Sequence, residues 1–214
     1  MTPLSNADGD GGAKAHWDAV YTSKSPNELS WYQSRPTRSL ELLEQLGAGP
    51  ASAIIDVGGG ASTLVDALLD RGAKNVSVLV ISRAALEHAQ SRLGARAASV
   101  TWIEADITRT DLPERAYDIW HDRAVYHFLT SAEERRAYAA VAAHALRPGG
   151  AAIIATFAPH GPTRCSGLDV VRYDSEQLAR ELGHEFLLDR SSDDLHRTPS
   201  GIAQAFTYTV LRRR

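Results

Sequence analysis

The residues whose types and spacing could do chemistry gather around one stretch, residues 52–62, Ser-Ala-Ile-Ile-Asp-Val-Gly-Gly-Gly-Ala-Ser. An apolar run, the acid Asp56 and the glycines Gly58, Gly59 and Gly60 precede the amphipathic series Leu64, Leu68, Leu69. That order predicts a buried strand, a tight turn and a helix, the opening of a nucleotide-binding βαβ unit. Glycines there let the backbone approach a ligand that a Cβ would keep away. The carboxylate of Asp56 would stand at the carboxyl end of the strand, where open α/β sheets bind their ligands. The turn is not a P-loop, since no Gly-Lys-Ser/Thr follows, and Thr63 stands where a G-x-G-x-x-G fingerprint needs its third glycine.

Other candidates lie further along. His121, His127, His160 and His196 invite a metal reading, but His121 and His127 do not share a helical face and no cysteine pair exists, so no metal site is expected. His160, just after an apolar strand, is the candidate acid–base group. Cys165, the only cysteine, sits in a Pro/Gly-rich loop that could bring it near a soft acceptor, and it gives no disulfide framework. Asp122 and Arg123 either touch substrate or pair with each other to fix a loop. The aromatic clusters Trp17, Tyr21 and Trp31, Tyr32 are too many to leave in water. They either cap the core or wall a substrate pocket.

The elements that must position these groups alternate. Pro36 opens a helix with Leu40, Leu43 and Leu46 on one face. After the glycine turn come strands at 76–81, 100–103, 117–121 and 151–157. The helix between the first two is capped by Ser82, and an alanine-rich helix over 132–146 is stopped by Arg147-Pro148-Gly149-Gly150. Alternation of this kind predicts a parallel sheet with helices on both faces, an α/β, Rossmann-like three-layer αβα sandwich. A helix capped by Asp174 or Ser175 and strands over 184–190 and 203–211 complete the chain, and the alternation of 203–210 suits an antiparallel hairpin member. Residues 1–14 read as a disordered leader and 15–214 as a single domain, with 15–48 as a cap over the site.

At 214 residues the chain can bury a substantial core. A net charge of −3 gives no electrostatic argument for nucleic acid or an anionic membrane as partner. No signal peptide is evident and no apolar run approaches the ~20 residues of a bilayer span, so the expectation is a cytoplasmic monomer or homodimer.

Taken together, Asp56-Val57-Gly58-Gly59-Gly60, Ala105-Asp106-Ile107, the strand Tyr117-Asp118-Ile119-Trp120-His121 and Leu146-Arg147-Pro148-Gly149-Gly150 resemble the class I S-adenosylmethionine-dependent methyltransferases over roughly residues 15–212. The resemblance implies a seven-stranded sheet with an antiparallel last strand, with S-adenosylmethionine as methyl donor and S-adenosylhomocysteine as product. It implies that Asp56 and the glycines hold the methionine and ribose portion, that Asp106, flanked by Ile107, accepts from the adenine amino group, and that His121 and its neighbours lie beside the methyl. Val80, followed by Ile81, departs from the pattern. The family usually ends this strand with an acid that binds both ribose hydroxyls, and valine cannot accept a hydrogen bond. Trp17, Tyr21, Trp31, Tyr32, His127 and Cys165 would face the acceptor, and His160, Asp122 and Arg123 would act on it.

The Asp122-Arg123-Ala124 segment and the Trp17…Trp31 pattern look like those of thiopurine and thiol methyltransferases. The Trp-x-x-x-Tyr start also looks like the small protein-lysine methyltransferases. A small-molecule nucleophile such as a thiol is the expected acceptor. A protein lysine is an alternative, and Val80 keeps open a degenerate, non-catalytic binder of a nucleoside or a partner protein.

Overall fold

The structure, a computed structural model, describes residues 11–214. Of the expected disordered leader, residues 1–10 lie outside the described residues, and 11–14 instead form the first turn of helix α1 (Gly11–Ser23). Lys14 explains the earlier start. Its ammonium donates to Glu104 at 2.8 Å and to Asp18 at 3.2 Å, and Ser82 donates to Asp18 at 2.6 Å. These contacts pin α1 to the ends of the second and third strands.

The remaining helices are α2 (Thr37–Gln45), α3 (Leu64–Asp70), α4 (Arg83–Leu93), α5 (Ala132–Ala145) and α6 (Ser175–Leu182). The strands are β1 (Ala53–Val57), β2 (Asn75–Val80), β3 (Val100–Glu104), β4 (Tyr117–Arg123), β5 (Leu146–Phe157), β6 (Phe186–Arg197) and β7 (Ala203–Arg213). They form one sheet in the order β3-β2-β1-β4-β5-β7-β6. Strands β1 to β5 pair in parallel, while β7 runs antiparallel to both β5 and β6. The reversed strand is therefore the last in the chain but second from the sheet edge. Two-residue strands at Arg164–Cys165 and Leu168–Asp169 form a separate hairpin.

Alternation along each strand sends side chains into two cores. Leu40 and Leu43 of α2, Leu64 of α3 and Leu86 of α4 pack on one sheet face with Ile54, Ile119 and Ile153. Tyr138 and Ala142 of α5 and Leu178 of α6 pack on the other with Ile55, Trp120 and Ile154. This is the three-layer sandwich read from the sequence. The Pro-Gly-Gly stop differs in one respect: α5 does end at Ala145, but β5 begins at once, and a register irregularity opposite Tyr117 and Ile119 absorbs the extra residues. None of the described helices is long and apolar enough to cross a membrane.

His127, expected to face substrate, is instead a core residue. It is fully buried, its ring lies 4.7 Å from Phe157 and 4.5 Å from Phe128, and its Nδ1 accepts weakly from the Phe157 amide at 3.4 Å. Burial, with Arg123 as a lesser cause, pushes its pKa down to about 3. The unfolded chain takes up that proton near pH ~6.5, so folding excludes a proton, and stability should fall as pH drops from ~6.5 towards the folded value. In urea unfolding across that window, the native chain is expected to lose stability more steeply than His127→Leu, by up to about 1.4 kcal/mol per pH unit. Parallel curves would contradict the assignment.

Candidate active site

The cleft opens at the carboxyl ends of β1, β2 and β4. Its larger lobe is a cavity of ≈ 240 Å³ and its smaller lobe one of ≈ 40 Å³, and the two share Trp31, Val57, Gly58 and Arg123. Gly58 adopts φ +73°, and a Cβ there would run into the Val125 side chain. At Gly59 a Cβ would meet the Asp56 carboxylate. The glycines thus make the turn and let its backbone form the cleft wall.

Asp56 and His121 lie beneath this turn. The His121 Nδ1 is 2.7 Å from one Asp56 carboxylate oxygen, and Nε2 is 2.8 Å from the Ser39 hydroxyl of α2. With Nδ1–H donating to the acid, Nε2 accepts from Ser39. The order Ser–His–Asp is that of a hydrolytic relay, but all three are essentially buried, Ser39 fully. Here the chain ties α2 to the sheet. The second Asp56 oxygen is buried without a hydrogen-bond partner, and Asp56 lines the smaller lobe. An acceptor left open in this way fits an ammonium donor such as the amino-acid end of S-adenosylmethionine.

Along the larger lobe, Val80 ends β2 and lines the cavity with Ile81, Asp106 and Ile107, so the expected nucleoside wall is contiguous. Asp106 is partly engaged already. One carboxylate oxygen accepts from the Thr108 amide at 2.8 Å and the Thr108 hydroxyl at 2.7 Å. Val80 presents only methyl groups where ribose hydroxyls would need an acceptor.

The opposite wall is aromatic. Trp17 meets Phe128 edge-on at 5.0 Å and Trp31 at 5.8 Å, and Tyr21 meets Trp31 at 6.0 Å. Cys165 closes the same side, and burial pushes its thiol pKa up. Tyr32 faces the smaller lobe only. His160 is exposed beyond β5 and lines neither lobe, so it is not positioned as an acid–base group.

Asp122 and Arg123 part company because neighbouring strand residues point to opposite faces. Asp122, fully buried on the α5 side, accepts from the amides of Val125 at 2.9 Å and Tyr126 at 3.1 Å and from the Tyr138 hydroxyl at 2.7 Å. Burial outweighs these donors and lifts its pKa to about 6. It lines neither lobe. Arg123 points the other way and lines both. The two do not pair.

Sequence reasoning missed Phe128, His16 and Ser39. His16 lines the cavity with a buried, unpartnered Nε2, and burial lowers its pKa. The spacing Ala13, His16, Trp17, Tyr21 follows one helical face and could have identified it. Ser39, amid Leu40, Leu42 and Leu43, carried no comparable signal.

Residues 54–150, a little under half of the chain, match the family described as methyltransferase domain. A solved structure described as "Conversion of a Disulfide Bond into a Thioacetal Group during Echinomycin Biosynthesis" superposes with a TM-score of 0.72 at 22% identity, over 94% of this chain and 92% of that one. The Burkholderia thailandensis 1,6-didemethyltoxoflavin-N1-methyltransferase, solved with its acceptor and S-adenosylhomocysteine, superposes with a TM-score of 0.69 at 19% identity, over 100% of this chain and 92% of that one. The eEF1A lysine and N-terminal methyltransferase of Mus musculus is 22% identical over 136 residues, 63% of this chain but 19% of that protein, so the chain spans about a fifth of that relative's length. Strand order and the glycine turn agree with these matches: the chain has the seven-stranded, Rossmann-like fold of these structures, built around a region, residues 54–150, that matches the methyltransferase domain family.

Proposed function

We propose that the chain methylates a small-molecule nucleophile, of thiol or other soft type, inside the larger lobe. The observation that carries this reading is the aromatic end of the larger lobe, walled by Trp17, Tyr21, Trp31 and Phe128, which adjoins Val80, Ile81, Asp106 and Ile107 in the same ≈ 240 Å³ cleft and reaches the glycine turn through Gly58. A pocket of that character suits a compact apolar acceptor. The two similar structures described above with small-molecule chemistry, one at sulfur, support it. The mouse relative's name points instead to a protein lysine. Against that stands Arg123 in the wall, because a lysine ammonium would approach a guanidinium.

When bound, S-adenosylmethionine supplies an electrophilic methyl on a sulfonium leaving group. The residues hold and shield the reactants. Asp56 and the backbone of residues 58–60 would hold the amino-acid end, with Asp106, Ile107 and Val80 beside the nucleoside. Residues 15–48 act as the cap, excluding water and aligning the acceptor for in-line attack. A thiolate needs no base. Where the acceptor keeps its proton, the neutral His16 imidazole is the basic group at hand. Cys165 stays a thiol and serves as wall.

Purified protein incubated with S-adenosylmethionine is expected to form S-methyl products from a panel of alkyl and aryl thiols, read by mass spectrometry. It should leave amines and a lysine-rich test protein unmodified. Methylation of the protein lysines alone would contradict the reading.

Val80 generates a second expectation. An acid at the end of β2 would restore a charged acceptor for the ribose hydroxyls, and the position faces the cavity. Val80→Asp is expected to tighten S-adenosylmethionine binding about ten- to a hundredfold, roughly 1.5–3 kcal/mol. Calorimetric titration of both forms measures it. Unchanged or weaker affinity in a folded variant would place the ribose elsewhere.

A further inference from the structure

Strand β6 is the outermost strand of the sheet, and among the described residues no strand pairs with its outer edge. Its 12 residues leave an open row of amide and carbonyl groups there, a template for another strand. Charges and bulges blunt such edges against chance pairing. Strand β6 has both: Asp189, Arg190, Asp193 and Asp194 lie along it, and it is bulged between Leu188 and Arg190. Yet the charges are of both signs, and two apolar side chains stand among them, Leu188 39% and Leu195 60% exposed. The order of these residues suits one partner.

Pairing with β7 fixes the face each side chain takes, because directly opposed residues share a face. Arg190, Ser192 and Asp194 stand opposite Val210, Tyr208 and Phe206, on the side of α2 and α3. Leu188 stands opposite Leu211, on the side of α5 and α6, and Asp193 and Leu195, opposite Thr207 and Ala205, share that side. A second copy can continue the sheet antiparallel only about a two-fold axis through a residue, since only then do opposed residues again share a face. With the axis at Ser192, Arg190 of each copy meets Asp194 of the other. Asp189 is the residue the bulge leaves unmatched. The same skip that sets Leu188 next after Arg190 along β7 therefore sets it opposite Leu195 of the other copy. Moving the axis to Ser191 puts Arg190 against Ser192, and moving it to Asp193 puts that acid against itself. The charges are available for this role. Arg190 approaches only Asp189, at 3.6 Å, an acid already 3.3 Å from Arg212, and Asp194 makes no ion pair among the described residues.

We propose that β6 pairs antiparallel with β6 of a second copy of this chain, joining the two sheets into one across an axis at Ser192. The backbone ladder and the two Leu188–Leu195 contacts supply the attraction, and the two Arg190–Asp194 pairs set register and partner. The cleft is left open, because β6 lies three strands beyond β4, about 14 Å at ordinary strand spacing. The inference is independent of the methyl-transfer reading.

Sedimentation of the full chain tests it. The native chain is expected to be a dimer at about 100 µM. Arg190→Asp alone and Asp194→Arg alone each set like charges against one another at two places. Each is expected to raise the dimer dissociation constant about tenfold or more. The two changes together reverse both pairs and are expected to return the constant to within about threefold of native. Opposed residues of antiparallel strands lie about 4.5–5.5 Å apart at Cα, within reach of a disulfide. Ser192→Cys, treated with diamide as oxidant, is therefore expected to give a covalent dimer, which the buried Cys165 of the native chain does not. A native chain that is monomeric at that concentration would overturn the proposal. So would a dimer indifferent to either single change, or one that the double change fails to restore. Should a charge variant fail to fold, the native mass and the cross-link decide, and a dimer without the Ser192→Cys cross-link would overturn the proposal by placing the interface elsewhere.

Discussion

A buried carboxylate shapes the active end of this sheet. Asp122 sits near the end of β4, and its hydrogen bonds to the amides of Val125 and Tyr126 hold the turn that follows. That turn contains Ala124 at φ +71°, a left-handed conformation that a non-glycine residue adopts only when its surroundings enforce it. The Tyr138 hydroxyl of α5 donates to the same carboxylate and accepts from the Trp120 indole, so the helix layer behind the sheet is tied to the turn in front of it. With the turn held, Val125 lies against Gly58 and Arg123 projects from the opposite face of β4 into the cleft.

A second polar tie works from the other face. Asp56, His121 and Ser39 link β1, β4 and α2, and the cleft opens directly above them. Each tie uses up functional groups. Asp122 and His121 both carry the chemistry of catalytic residues, and both spend it on holding backbone and helices in place. Among the described residues that line the cleft, one oxygen of Asp56, one nitrogen of Arg123 and the Nε2 of His16 are buried without a hydrogen-bond partner.

The sheet was legible because its signals are local. Apolar runs, a glycine turn, the Ser82 and Asp174 caps and the Pro-Gly-Gly stop each act over a few residues. The four residues expected beside a nucleoside, Val80, Ile81, Asp106 and Ile107, come together for a related reason: they end or follow neighbouring strands, and parallel pairing brings strand ends together. The catalytic list was harder to read. Which of Asp122 and Arg123 enters the cleft depends on the phase of β4, and whether His127 or Phe128 does depends on a single turn of 3₁₀-helix. A one-residue change of phase exchanges core for cavity, and residue type alone does not reveal it. His160 misled because position after a strand suggests a sheet-edge site, yet its loop turns out into solvent.

The central claim is that the glycine turn, Asp56 and the ends of β2 and β3 form one binding site for an S-adenosyl ligand. Isothermal titration with S-adenosylhomocysteine, paired with thermal unfolding, tests it most directly. The account expects saturable one-to-one binding. At about a hundredfold excess over Kd it expects about 2.7 kcal/mol of stabilisation, a rise in Tm of roughly 5–10 °C, with no comparable effect from ATP or nicotinamide dinucleotides. Folded protein that shows neither heat nor a Tm shift at millimolar S-adenosylhomocysteine would contradict it.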